Sequence, residues 1–337
     1  MASTLLRNSI NGLINLPRKS PFSGHRNLTA NSQQNPLPST EFNFAEYRAT
    51  KVNQINKALD EAVVPSQNTP PILHEAMRYT LQAGGKRFAP TLCIASCELV
   101  GGNESLAMPM ACALEMMVAS AVILDDLPCT DNDDLRRGKP ANHKVFGEGI
   151  SVLASQALSF LAIEHFETKT KGEISSDRLV RAVVELCSAL GSKGAVAGQV
   201  ADINSEGKEV SLSELEFIHR NKTGKIVETS VVCGVLVGGG NDVEIEMIRK
   251  YGKCMGLAYQ VWDDILDETG NTEELGKKAG KDLVRNKATY PKLMGVDESK
   301  KYARELVVEA KEELSYFDST MAAPLYHIAN FVVSRSH

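Results

Sequence analysis

Apolar residues along this chain recur at three- and four-residue intervals over long stretches, the spacing that gathers them on one face of an α-helix. The pattern predicts helices over Glu41–Val63, Ile72–Gln82, Leu106–Leu124, Ser151–Thr168, Asp177–Leu190, Ser211–Leu236, Asp242–Asp264 and Glu298–Phe317. These segments are rich in Ala, Leu, Glu and Lys, all strong helix formers. Ser211 with Glu214 makes a capping box, and Ser176-Asp177 and Asn241-Asp242 are similar polar openings. No proline occurs between Pro140 and Pro291, whereas a sheet-rich chain needs turn residues every ~8–12 positions. The fold class is therefore all-α: one large helical domain over residues 41–337, too long for a simple four-helix bundle.

Composition narrows the partners. Apolar residues are 43% and charged residues 23% of the 337, the balance of a soluble globular chain. No run of about 18 residues is free of charge and proline; the nearest, Leu106–Leu124, holds Pro109 and Glu115 and reads as a buried helix, so no transmembrane segment is expected. Aromatics at 6% and a net charge of −5 argue against a nucleic-acid partner. The charge is unevenly placed. Residues 1–40 carry Arg7, Arg18, Lys19 and Arg26, six Ser and no acid, the composition of an organellar transit peptide. That leader is read as a disordered plastid (chloroplast) address outside the fold. Seven scattered cysteines imply a reducing compartment without a disulfide framework. Cys93 and Cys97 are spaced to share a helix face; two small core residues are the expectation, since no second Cys or His pair stands at zinc-ligand spacing.

Two acidic clusters stand out, Asp125-Asp126 with Asp131 through Asp134, and Asp263-Asp264 with Asp267. Each ends an apolar run that should be a buried helix. Carboxylates placed there repel one another and lose hydration, so they need a counter-cation. Asp263 and Asp267 are four apart and point the same way on a helix. Such pairs suit Mg²⁺, which keeps water ligands and bridges substrate phosphates. Basic residues follow: Gly84-Gly85-Lys86-Arg87, Arg136-Arg137-Gly138-Lys139, Lys222-Thr223, and Lys277, Lys278, Lys281 and Lys287. Forked guanidinium and ammonium groups beside Mg²⁺ carboxylates describe a phosphate clamp. No Walker or dinucleotide glycine loop is present.

The set Gly84-Gly85-Lys86-Arg87, Asp125-Asp126 with Asp131, Arg136-Arg137-Gly138, Gly198-Gln199, Lys222-Thr223, and Gln260 with Asp263-Asp264 and Asp267 resembles the all-trans isoprenyl diphosphate synthases. Within them it is most similar to the plant plastidial geranylgeranyl diphosphate synthases. The resemblance implies an isoprenoid synthase fold with the clusters facing each other across a central cavity. It implies a homodimer, or a heterodimer with a related synthase subunit. By position, Asp125, Asp131 and Asp263 would hold Mg²⁺ on an allylic prenyl diphosphate, with Asp126, Asp264 and Asp267 in support. Arg136, Lys222, Lys277 and Lys287 would grip that diphosphate beside Thr223 and Gln260. Ser120 and Ala121, one helical turn before Asp125, would form the floor that sets chain length.

The departures from that family are selective. Isopentenyl diphosphate would be held by Lys86, an Arg at position 89, a His at position 118, and Arg137; this chain has Ala89 and Val118. Each lost charge-assisted bond is worth ~1.5–3 kcal/mol, together about two to four orders of magnitude in affinity. Leu124 and Ser155-Gln156 also stand where the family has a His and a Gly-Asp. Three readings follow: an enzyme that ionises an allylic diphosphate and then quenches or cyclises the cation, as a terpene synthase does; a chain-elongating synthase; or a non-catalytic partner subunit, to which the Cys93–Cys97 pair would belong. The selective loss slightly favours the first.

Overall fold

The computed structural model describes residues 42–65, 67–269 and 287–335. The leader and Lys277, Lys278 and Lys281 lie outside the described residues.

Fourteen helices account for nearly all of the described structure: α1 Phe44–Ala62, α2 Pro71–Gln82, α3 Phe88–Leu99, α4 Glu104–Asp125, α5 Asn142–Phe146, α6 Glu148–Thr170, α7 Ser176–Leu190, α8 Ala195–Ser205, α9 Leu212–His219, α10 Lys225–Gly238, α11 Asp242–Thr269, α12 Tyr290–Met294, α13 Val296–Leu314 and α14 Ser319–Val332. A two-stranded hairpin, β1 Leu135–Arg136 with β2 Lys139–Pro140, follows the first acidic cluster. The all-α expectation holds.

Helix α10 forms the axis of the core. Val227 through Val237 are all buried, packed between α3, α4, α7 and α11. Its all-round burial explains why it lacks an amphipathic stripe. Helix α4 lies against α3 and α6 and carries the first acidic cluster at its C-terminal end; α11 lies against α10 and α13 and carries the second. Cys93 and Cys97 are fully buried on α3, as small core residues. By length and composition α4 and α6 could cross a membrane, but α4 is largely interior. Helix α6 is less covered and exposes Val152, Leu153 and Phe160.

The predicted boundaries need four corrections. Ser211–Leu236 is not one helix: a π-helical turn, Arg220–Gly224, separates α9 from α10. The cause is close backbone packing. A Cβ on Gly198 of α8 would meet the Lys222 nitrogen at 2.2 Å, and one on Gly256 would meet the Gly224 Cα at 2.7 Å. Second, the cap of α7 is Ser175, whose hydroxyl accepts from the Arg178 N–H. Third, α11 runs on to Thr269, so the second cluster lies within the helix instead of ending it. Fourth, α3, α5, α8, α12 and α14 were not among the predicted segments. The capping box at Ser211 and Glu214 is present as predicted.

Candidate active site

Helix α4 ends at Asp125, and Asp126 is its C-cap. The chain then folds back on itself, with the Asp131 N–H donating to the Asp125 carbonyl at 2.8 Å and Asp133 N–H to that of Asp126 at 3.1 Å. Thr130 Oγ1 donates to the Asp125 carbonyl at 2.9 Å. These bonds satisfy carbonyls that a helix end leaves open and hold the five-residue loop in place. Asp125 is pushed up to about 6, chiefly by burial, with Asp131 adding to the rise and Lys222 opposing it.

Asp131 faces two ammonium groups. Lys222, on the π-turn, lies 3.7 Å away, and Lys287 lies 3.3 Å away. Both lysines also bind Asp202 of α8, at 2.8 and 2.9 Å. Burial works against the ionised carboxylates, yet the two lysines hold Asp131 and Asp202 below the usual carboxylate range. Burial likewise opposes the Lys222 charge, and Asp125, Asp202 and Asp131 outweigh it. Lys222 stands on the π-turn, a helical irregularity frequent at functional sites.

In the second cluster, Asp264 Oδ2 accepts the Tyr290 N–H at 3.0 Å and lies 3.4 Å from His219 Nε2. Burial pushes His219 down to about 4, so its ring is neutral near pH 7. Asp263 Oδ1 accepts from Arg335 at 3.1 Å, and Asp267 is buried one turn further along α11. The segment from Lys287 to Tyr290 thus touches both clusters, Asp131 at one end and Asp264 at the other.

Arg136 pairs with Asp126, its Nε donating to Oδ1 at 2.9 Å. The next two residues, Arg137 and Gly138, both have positive φ, 52° and 76°, as a two-residue type I′ hairpin turn demands. A left-handed Arg is costly, and among the described residues the other non-glycine examples are Arg87 and Asn132. All three sit in the loops around this site, where such strain is commonly stored. The turn aims Arg137 back at Gly84 and Glu115: its guanidinium donates to the Gly84 carbonyl and lies 3.5 Å from the Glu115 carboxylate. Arg87 is buried against the same carboxylate, and its Nε donates to Asn56 at 2.8 Å. Arg87 is therefore a structural cation rather than an exposed diphosphate donor.

A cavity of about 340 Å³ brings the two halves together: Lys86, Ala89, Val118 and Arg137 line it with Thr223 and Asp263. The structure thus places Ala89 and Val118 in one pocket with Lys86 and Arg137. Gln260 is half-buried one turn before Asp263. Ser120 does not form an open floor; it is buried and shares hydrogen bonds with Ser155 and Ser159 of α6, at 2.9 and 2.7 Å. Met116 is fully buried beside it, and Ala121 is half-buried. The substitution of Ser155 for the family's Gly thus has a local consequence, a serine cluster between α4 and α6.

Sequence reasoning missed Asp202, Glu115 and Arg335. Asp202 stands one turn after Gly198-Gln199, a motif already in the resemblance. Glu115 is a charge inside an apolar helix, a signal that asks for a partner. No sequence pattern pointed to Arg335.

A profile of the polyprenyl synthetase family matches residues 70–321. The chain belongs to the polyprenyl synthetase family. It is 55% identical over 300 residues to a chloroplastic geranylgeranyl pyrophosphate synthase of Catharanthus roseus, covering 89% of this chain and 83% of that one. It is 54% identical to a chloroplastic heterodimeric geranylgeranyl pyrophosphate synthase large subunit of Arabidopsis thaliana, covering 88% and 81%. Among solved structures, a putative farnesyl-diphosphate synthase from Marinomonas sp. MED121 is 33% identical with a TM-score of 0.74, covering 87% of this chain and all of that one. Family and fold together make the protein an enzyme of the isoprenyl diphosphate synthase class with the isoprenoid synthase fold. The plastid location expected from the leader agrees with the chloroplastic relatives.

Proposed function

We propose that this polyprenyl synthetase joins an allylic prenyl diphosphate to isopentenyl diphosphate, as a synthase of the geranylgeranyl type. The observation that carries this reading is the shared cavity. Lys86 and Arg137, donors for a second diphosphate, open onto the same space as Asp263 and Thr223 of the allylic half. The allylic C–O bond breaks with the diphosphate leaving, a C–C bond forms to the alkene of the second substrate, and a proton is lost from it. The terpene-synthase-like alternative rests on the selective departures, chiefly Ala89 and Val118, and none of the relatives named above is a terpene synthase.

The donor set fits the family's Mg²⁺. Every candidate ligand is a carboxylate oxygen, the hard donor that ion prefers. His219, whose Nε2 lies 3.4 Å from Asp264, has its other ring nitrogen, Nδ1, buried without a partner. Asp125, Asp131 and Asp263 would hold the ion, with Asp126, Asp264 and Asp267 in support. When bound, Mg²⁺ neutralises the diphosphate and makes it a better leaving group. The chain's own cations do the rest: Arg136, Lys222 and Lys287 grip the allylic diphosphate, with Lys277 assigned to it from sequence alone. Thr223 and Gln260 orient it, while the half-buried Ala121 bounds the growing tail. Incubating the protein with Mg²⁺, a labelled allylic diphosphate and isopentenyl diphosphate should give a longer prenyl diphosphate; hydrocarbons or alcohols alone would overturn the reading.

We infer also that the exposed apolar face of α6, with Val152, Leu153 and Phe160, is covered by a second chain of this family, identical or related. The heterodimeric relative supports this. Light scattering on Phe160→Asp should show a monomer; an unchanged mass would reject that face. Residues 1–40 form a separable address, a reading supported by their basic, Ser-rich, acid-free composition and by the chloroplastic relatives. Their removal should leave melting temperature and turnover unchanged, and a reporter carrying them alone should enter plastids; a cytosolic signal would count against it.

A further inference from the structure

His219 is the last residue of α9, directly before the π-turn, and is buried, 8% exposed. Its Nε2 lies 3.4 Å from Asp264 Oδ2, the oxygen that also accepts the Tyr290 N–H at 3.0 Å. That oxygen is an acceptor, so Nε2 carries the proton of the neutral ring. Nδ1 is then a bare acceptor, and it is buried with no hydrogen-bond partner among the described residues. The ring packs edge-on against Tyr290, with centroids 5.6 Å apart, and Tyr290 stacks on Tyr302 at 5.7 Å. Packing alone would be met as well by phenylalanine, which has no nitrogen to leave unpaired. A buried polar atom left unmet is costly and calls for a reason.

The reason lies in what Nε2 faces. Asp264 stands between Asp263 and Asp267 in the second acidic cluster, on α11. The Tyr290 N–H reaches Oδ2 from the start of α12, and His219 reaches it from the end of α9. Two donors from separate elements fix a carboxylate that one bond would leave free to turn. At 3.4 Å the histidine contact is long, as such contacts often are before a ligand tightens the site. Burial keeps the ring neutral, against the pull of Asp202 and Asp263 and with Lys222 assisting, so charges from both halves of the site surround it. Lys222 follows within the same π-turn, whose backbone packs closely on Gly198 and Gly256 and has little room to shift. A ring locked there holds the second cluster in register with a cation that grips the allylic diphosphate.

We propose that His219 is a positioning residue for the metal site, its Nε2–H fixing the Asp264 carboxylate so that the second cluster meets Mg²⁺ and the allylic diphosphate in one orientation. The proposal rests on the Mg²⁺ reading above and adds to it a residue that acts only through Asp264. It is independent of how the allylic cation is then consumed. It also accounts for a polar ring in an aromatic stack, because a ring kept for its Nε2–H brings the orphaned Nδ1 with it.

The test follows the rise in melting temperature of the full chain as Mg²⁺ is added with inorganic diphosphate, which reads metal and anion binding without turnover. His219→Phe keeps a ring against Tyr290 and removes the donor. Its metal-free melting temperature should match or exceed that of wild type, while the Mg²⁺ concentration at the midpoint of the rise should increase about 10–100-fold. His219→Gln loses the ring but carries an amide nitrogen as many bonds from the backbone as Nε2. It should keep a midpoint near that of wild type while melting lower without metal. Combined with Asp264→Asn, His219→Phe should add no further loss, because the ring acts through that carboxylate. Equal midpoints in wild type and His219→Phe would overturn the proposal, as would a His219→Gln midpoint as high as that of His219→Phe. Losses that add in the double variant, or a metal-free melting temperature of His219→Phe that falls with its affinity, would overturn it too. No Mg²⁺-dependent rise in wild type would sink the metal reading and this proposal together. A midpoint raised by Asp264→Asn but not by His219→Phe sinks the proposal alone.

Discussion

The Lys287 ammonium stands 3.3 Å from the Asp131 carboxylate, 156 residues away in the chain. That contact, with Lys222 and Asp202 on either side, ties the loop after α4 to the π-turn, to α8 and to the segment entering α12. Four charges from four elements alternate in sign, so removing one leaves its neighbours in repulsion.

Lys287→Ala should therefore be felt in allylic substrate use. Asp131 and Asp202 would share a single ammonium, and one charge-assisted contact to the diphosphate would be lost. The allylic KM is expected to rise about 10–100-fold, from one lost bond of ~1.5–3 kcal/mol. Steady-state kinetics with each substrate varied in turn checks this; an equal rise in the isopentenyl diphosphate KM would show that the two sites are not separate.

Asp263→Ala should abolish Mg²⁺-dependent turnover. Like-charge repulsion alone would have this substitution stabilise the fold, but the pairing with Arg335 reverses the sign. Loss of the carboxylate leaves a buried guanidinium uncompensated, at a cost of about 1–3 kcal/mol. The cost lies toward the lower figure, because Asp263 is 32% exposed and screened by water. A small drop in melting temperature with loss of activity is expected. A rise in stability would mean the Arg335 contact is not formed in solution.

The Arg87–Glu115 pair predicts an asymmetry in stability. Both side chains are buried, at 3% and 4% exposure, so Arg87→Ala or Glu115→Ala should each cost about 3–5 kcal/mol. Replacing both together with apolar residues of similar volume should recover most of that. Denaturant unfolding of the three variants decides the matter, and a double variant as unstable as the worse single one would contradict it.

The sequence was most informative where a physical conflict was visible in it. Asp125-Asp126 and Asp263-Asp264 stood out because carboxylates at or near apolar helix ends demand a cation. Ser211 capped α9 as read because a capping box is local chemistry. The π-turn at Arg220–Gly224 was not legible, because its cause is non-local: the backbones of Gly198 and Gly256 approach it from helices elsewhere in the chain. Helix α10 hid its boundary for a related reason, being buried on all sides and so without a periodic stripe. Arg335 was invisible because a single arginine near a chain end is ordinarily solvated. Only the fold shows it turned inward onto Tyr259 and Asp263. Ser120 was read for its small size, and the structure shows its hydroxyl spent on Ser155 and Ser159.

The central claim is that both diphosphates are handled in one cavity, and product analysis tests it most directly. Purified protein is incubated with Mg²⁺ and geranyl, farnesyl or geranylgeranyl diphosphate, with and without isopentenyl diphosphate. The account predicts prenyl diphosphates longer than the allylic substrate, formed only when isopentenyl diphosphate is present. Hydrocarbons or alcohols formed equally with and without it, or no product in either case, would contradict the account.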